Sequence, residues 1–477
     1  MAQSMTGFKD DGQYGALFVG VHHMDDEQLQ FLRELAPSMI NEQVPEEVNP
    51  DGDPPSHKHT QKVAIWEWLQ LLFAMKAMND ANEACRFSFA SMSYNRYVQA
   101  LINPKTNRRD FDAICQVDLV FGGPALNENF RRVVLYLRAR LQPSYTHISS
   151  NSDPEYCVPN ENALYDLIAG LRLVEQSNVV IFPGTLSTLY GGNKVQLHKN
   201  LDDIALRRDH ARPRTVHADH NAALSHKSVY KRSYSARSDA VYVNTVDGIP
   251  TRTQDTTSRG VTSHSSSQAP APAYGVSTGF ELLDHGWLAQ THLPLLKMYQ
   301  FGELRVWIVG GKISRVIQTC PLPADEHDTT GLFSEFVRHG CPPTKWAFEH
   351  ASALKDGAAW GQFASGHHTP QIMEEGRKEL EDFVLTVYRD LVAIEREALM
   401  GHISDIELMC RFDVGIMKGT DSFHYYVSEV ERSPTTCMWG WYDWAGASAD
   451  INTVARMMPD WIARHRALPH IGAEGVL

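Results

Sequence analysis

Apolar and polar positions along the chain follow two repeats, one of period two and one near 3.6, which divide it into predicted strands and helices. YGALFVGVHH, residues 14–23, is an apolar run that predicts a buried strand. DDEQLQFLRELAPSMI sets Leu29, Leu32 and Leu35 at helical spacing, with Pro37 near its end. KVAIWEWLQLLFAMKAMNDA, residues 62–81, predicts a strongly apolar helix, QVDLVFGGP a strand ending in a glycine turn, and NENFRRVVLYLRARL another helix. Residues 160–201 read as helix, strand (NVVIFP), turn and helix, with Gly191-Gly192 placed to help start the second helix. That alternation suggests a small α/β layer whose strands are buried on both faces.

Strands dominate the second half. VYKRSY and AVYVN flank the soft segment SARSD, and WLAQTHLPLL follows as a further strand. GELRVWIVGGKISRVIQT predicts two strands about a Gly310-Gly311 turn. PQIMEEGRKELEDFVLTVYRDLVAIEREAL, residues 370–399, predicts a long amphipathic helix. ELMCRFDVGIM and FHYYVSEVERS are two further strands, and INTVARMMPDWIARHRAL is a closing helix. Residues 250–275 are rich in Ser, Thr, Pro and Ala without apolar periodicity, and predict a flexible insertion.

Composition narrows the class. With 477 residues, 43% hydrophobic and 21% charged, the chain is globular and long enough for two or three lobes. A net charge of -13 argues against general nucleic-acid binding. The seven cysteines are scattered without a CxxC pair, which predicts reduced thiols. No apolar leader and no run of 18 apolar residues occur, so a cytoplasmic protein without membrane contact is expected.

Candidate chemistry gathers on the late strands. Arg411 and Asp413 are two apart and so share a strand face, as do Glu429 and Glu431. KGTDS between the strands favours an antiparallel hairpin, which would place up to three carboxylates and one arginine on one face. Such carboxylates repel unless a cation offsets them, and Mg²⁺ is a candidate; a solvated face with surface salt bridges is the alternative. Arg305 lies within an apolar strand and needs a partner, and its planar fork suits phosphate or carboxylate. Gln290 sits among apolar neighbours. Lys231 can reach a phosphate as a point charge, and Ser235 lies in a segment able to fold amides and hydroxyls around phosphate oxygens. No GxxxxGK[ST], GxGxxG after a strand, or GxSxG occurs. His210, His217, His220 and His226 cluster without cysteines, a weak zinc pattern. CMWGWYDW reads as aromatic core or a subunit contact.

The order of these parts resembles the ATP-grasp superfamily. LRLVEQSNVVIFPGTLSTLYGGNKVQLHKNL followed by RPRT is similar to the family's entry into its nucleotide site, with Lys194 at the first lysine position. VYKRSYSARSD is similar to the phosphate-binding strand and mobile loop, with Lys231 at the second lysine. WLAQTHLPLL, carrying Gln290, Thr291 and Leu293, resembles the adenine hinge, and GELRVWIVGGKI the Gly-Glu-x-Arg-Val-Phe strand pair. RFDVGI with YYVSEVERS resembles the magnesium-holding strands, although Glu431 stands where the family often has Asn.

The resemblance spans about residues 160–435. It implies an N-terminal α/β lobe (1–185), then two α+β lobes (186–285, with the insertion, and 286–477) that sandwich the nucleotide. It implies ATP and Mg²⁺ as cofactors, with Lys194, Lys231, Ser235, Gln290, Thr291 and Leu293 holding the nucleotide. Asp413, Glu429 and Glu431 would hold metal, and Arg305 and Arg411 would stabilise the transferring group. The implied activity joins an unidentified carboxylate to an amine through an acyl phosphate, under a closing 231–239 loop. The alternatives are an ATP-dependent phosphotransferase, or a regulatory or scaffold protein with a degenerate nucleotide site. Oligomeric state stays open, a homodimer being common among such ligases.

Overall fold

The computed structural model describes residues 13–20, 22–23, 63–64, 69–80, 86–121, 161–191, 194–217, 228–232, 241–244, 250–252, 287–291, 303–321, 335–339, 370–418, 423–432 and 444–468. The chain forms two compact units, residues 1–189 with 448–477, and residues 190–447.

The first unit is built on a parallel sheet. β1 (Gln13–Gly20), a two-residue β2 (His22–His23), β3 (Val63–Ala64) and helix α1 (Leu69–Asp80) lead to β4 (Arg86–Ser93). Helices α2 (Tyr94–Ile102) and α3 (Arg108–Cys115), β5 (Leu119–Phe121), α4 (Glu161–Gln176) and β6 (Val180–Phe182) follow. The order β4-β1-β5-β6 is parallel throughout. Ala16–Val19 and all of β5 and β6 are buried, as a sheet covered on both faces demands. At the start of β5, Asp118 accepts a hydrogen bond from the Gly15 amide (2.7 Å) and pairs with Arg466 of the closing helix, Trp444–Arg466. Two details differ from the sequence reading. Within the helix predicted over 62–81, Leu69–Asp80 is helical, whereas Val63–Ala64 pairs with His22–His23 as a strand. Residues 86–115, unassigned by periodicity, supply β4, α2 and α3.

The second unit carries two antiparallel sheets. α5 (Thr185–Gly191), which the unit boundary divides, and α6 (Lys194–Arg208) precede β7 (Thr215–His217), β8 (Ser228–Arg232), β9 (Val241–Asn244), β10 (Pro250–Arg252) and β11 (Trp287–Thr291). These strands order as β10-β9-β8-β11-β7. The hairpin expected around SARSD is present, with Ser228 opposite Asn244 and Lys231 opposite Val241. The insertion reading needs a correction at its start. Pro250–Arg252 is an outer strand on β9, and its proline takes the first strand position, where a missing amide is tolerated. Its remainder, the SARSD segment, the helices read at 25–40 and 127–141, and CMWGWYDW up to Asp443 lie outside the described residues.

The second sheet is ordered β14-β13-β12-β15-β16, from β12 (Glu303–Val309), β13 (Lys312–Pro321), β14 (Glu335–His339), β15 (Met409–Lys418) and β16 (Phe423–Glu431). Gly310 and Gly311 make the β12–β13 turn with φ of 57° and 75°, a conformation that side chains disfavour. The long helix α7 (Pro370–Ala398) and α6 cover one face of this sheet. Leu304, Val306, Ile308, Phe412 and Val430 pack there against Leu197, Leu201, Leu380, Val384 and Leu391. α6 also touches β8 and β11, so one helix braces both sheets.

Candidate functional site

Register on the second sheet sets two cross-strand rows. Arg305 of β12 stands opposite Asp413 of β15, which stands opposite Glu429 of β16. Two residues along, Trp307 stands opposite Arg411, and Arg411 opposite Glu431. Arg315 of β13 extends this second row beyond Trp307. Period two puts both rows on one face, the face turned away from the apolar core of Leu304, Val306, Phe412 and Val430. The sheet therefore separates packing on one side from charge on the other. Register shifts after Asp413, leaving Ser428 as an extra residue in β16. Its hydroxyl lies 2.9 Å from Glu303 Oε1 and 3.0 Å from the Asp413 carbonyl oxygen.

The charges are paired unevenly. Arg411 holds Asp413 in a planar fork, Nε to Oδ1 at 2.7 Å and Nη2 to Oδ2 at 2.8 Å, with both residues buried. Lys194, the first residue of α6, pairs its Nζ with Glu429. Burial opposes the Lys194 charge, but Glu429, Glu431 and Asp413 outweigh it and raise its pKa. Arg305 Nε lies 3.9 Å from Glu303 Oε2. The Arg315 guanidinium sits 4.0 Å from the Trp307 ring centroid, and that of Arg411 5.8 Å from it.

Two carboxyls hold their protons more tightly than an ordinary glutamate. Burial, then the neighbouring Glu429, pushes Glu431 up to about 7, with Arg411 and Lys194 pulling the other way. Burial, then Asp413, pushes Glu303 up to about 7 against Arg305 and Ser428. Burial and neighbouring carboxylates thus disfavour the charged form of both groups, against the pull of Arg305, Arg411 and Lys194. Among the described residues, no three His, Cys, Asp or Glu side chains are arranged to hold a metal ion. Arg411 and Lys194 already occupy oxygens of Asp413 and Glu429.

The other sequence candidates are spread over both sheets. Lys231 lies within β8, opposite Leu288 of β11. Gln290 is buried, and its Nε2 donates to Thr215 Oγ1 at 3.3 Å. Thr291 is exposed and bonds the Arg214 carbonyl through its amide (2.9 Å) and its hydroxyl (3.3 Å). Ser235 and Leu293 lie outside the described residues, as do His220 and His226. His210 sits on the loop before β7 with its ring 5.0 Å from that of Phe383.

Some residues of the charged face were not singled out by sequence. Glu303 was legible in principle, being two residues before Arg305 on one strand. Ser428 was not, because a bulge has no signature in the alternation. Gly191 also differs from its reading. It ends α5, and a Cβ there would fall well inside contact distance of the Arg432 guanidinium.

No protein-family profile matches the chain, and no curated protein does. Among solved structures, it is similar to the D-alanine–D-alanine ligase of Bacillus anthracis complexed with ATP, at TM-score 0.41 and 10% identity over 96% of this chain and 98% of that one. It is similar to a D-cycloserine synthetase at TM-score 0.40 and 11% identity, over 82% of this chain and 93% of that one. A RimK domain ATP-grasp protein of Sphaerobacter thermophilus is similar at TM-score 0.35 and 10% identity, over 83% and 95%.

Proposed function

We propose that this chain is an ATP- and Mg²⁺-dependent ligase that joins a carboxylate to an amine through an acyl phosphate. One observation carries the proposal. Lys194, at the start of a helix, meets a sheet face on which Arg305, Arg411, Asp413, Glu429 and Glu431 stand in register. Phosphoryl transfer asks a protein for positioned charge of both signs and little covalent chemistry. This face offers both signs on neighbouring strands.

In chemical type, though not in the arrangement described above, the donors suit magnesium. They are carboxylate oxygens, the ligands a hard cation takes, and burial and mutual repulsion hold Glu431 protonated up to about pH 7. Asp413, Glu429 and Glu431 would hold the ion, which would neutralise charge between phosphate oxygens and carboxylates. Lys194 and Lys231 would bind nucleotide phosphates as point charges. Arg305 and Arg411 would orient and stabilise the transferring phosphoryl group through planar donor pairs. Gln290 and Thr291, in the hinge-like strand, would lie beside the base.

Calorimetry with ATP and Mg²⁺, followed by ADP-release assays against pools of amino acids with phosphate detection, tests this. Binding with amine-dependent ADP release is the expected result, and a protein that binds no nucleotide would sink it. The Arg411–Asp413 fork favours a second reading, a nucleotide-binding protein without turnover, because it ties up one metal-binding carboxylate. Binding without ADP release under any acceptor pool would select that reading.

A further inference from the structure

Arg432 directly follows the last residue of β16 and is buried together with its partner, Glu395 of α7. The two form a fork, with Nη1 donating to Oε2 at 2.8 Å and Nη2 to Oε1. Ser404 Oγ donates to the same Oε2, so Glu395 is held from two sides. Burial opposes the Arg432 charge, but Glu395 outweighs it and raises its pKa. The flat guanidinium lies against Gly191, and a side chain at 191 would occupy its place. The end of a long side chain can usually swing aside. This one is held in a buried fork, so moving it would leave two charges unpaired. The preceding residue, Tyr190, is tied to α6, its hydroxyl lying 3.2 Å from Asn200 Nδ2.

Two short segments therefore meet at both ends. Arg432 meets Gly191, and three residues away on each segment Glu429 meets Lys194. We propose that Arg432 is a positioning residue: clamped by Glu395 against Gly191, it sets the start of α6 so that Lys194 reaches Glu429. This deepens the nucleotide-site proposal and rests on it only for the ligand, since the two pairings stand independently.

The test uses the full chain with three changes: the paired apolar replacement Arg432→Met/Glu395→Met, Gly191→Ala, and Arg432→Lys. Replacing both partners of a buried ion pair by apolar residues is often neutral for stability. Arg432→Lys keeps a charge near Glu395 but gives up the planar fork. Each protein is followed by urea unfolding. Labelling of Lys194 by an amine-reactive reagent is measured by mass spectrometry against exposed Lys199 on the same helix. Mg-ADP affinity is measured by calorimetry. In the variants that stay folded, the Lys194-to-Lys199 labelling ratio is expected to rise by about tenfold, the scale of a single charge-assisted hydrogen bond, with a matching fall in Mg-ADP affinity. A ratio within about twofold of wild type in folded variants would overturn the proposal, because so small a change lies well below the worth of one such bond. Wild-type protein that binds no Mg-ADP would refute the nucleotide reading, while the labelling ratio would still decide the role of Arg432.

Discussion

Lys194 and Glu429 are ion-paired although one begins a helix and the other lies near the end of the last strand of its sheet. The pair is mostly buried and supplies positive charge beside Glu431 and Asp413. Lys194→Met should lower stability by about 2–4 kcal/mol, since it strands a partly buried carboxylate. Urea unfolding at pH 7.5 checks this. The loss should shrink at pH 5.5, where Glu431 takes up a proton and the repulsion falls. Equal losses at both pH values would argue against charge crowding as the cause.

Glu303 and Glu431 make stability pH-dependent in a definite direction. Both carboxyls sit at about 7 in the folded chain, raised from an ordinary 4.5. The folded state therefore keeps protons that the unfolded chain releases, so stability falls as pH rises from about 4.5 to about 7 and levels off above. The melting temperature should drop over that range on account of these groups. Glu431→Gln should flatten the drop, and Mg²⁺ at millimolar concentration should oppose it. Scanning calorimetry from pH 5 to 8.5 with and without Mg²⁺ is the measurement. A profile that Mg²⁺ leaves unchanged would count against a metal at these carboxylates.

Arg305 approaches Glu303 Oε2 only to 3.9 Å, whereas Arg411 grips Asp413 in a fork of 2.7 and 2.8 Å. On the proposed function Arg305, which stands opposite Asp413 in the first cross-strand row, would act on the transferring group. Arg305→Ala should cut turnover by about 10²–10³. Mg-ATP affinity should stay within about threefold, as for an interaction made mainly in the transition state. Parallel ADP-release kinetics and calorimetry separate the two effects. A loss of affinity equal to the loss of rate would assign Arg305 to ground-state binding.

Gly170 provides a structural control in the first unit. It lies where α4 crosses α2, against the backbone of Leu101, and both Gly170 and Leu101 are buried. An added Cβ would meet a carbonyl oxygen that cannot swing aside, so the helices would have to separate. Gly170→Ala should cost about 1–3 kcal/mol despite alanine's better helix propensity. A stabilised variant in urea unfolding would show that the helices are not closely packed there.

Most of this site's membership was legible in the alternation of side chains. Arg411 with Asp413, and Glu429 with Glu431, share a face by period two, and the KGTDS turn implies antiparallel pairing. The β12–β13 hairpin announces itself through Gly310-Gly311. β4 was harder to see because two of its buried positions are small, Ala90 and Ser91, and carry little apolar signal.

The order of residues therefore determined the elements and the chemical types on each face, because period and turn chemistry act between near neighbours. Tertiary structure decided the pairing. It set Asp413 opposite both Arg305 and Glu429, bulged Ser428 toward Glu303, and brought Lys194 to Glu429 and Arg432 to Glu395 and Gly191. Those pairings depend on strand register, on a bulge and on how two helices pack over a sheet. Each is fixed by burial and charge compensation summed over distant segments, a quantity that no local window of sequence contains.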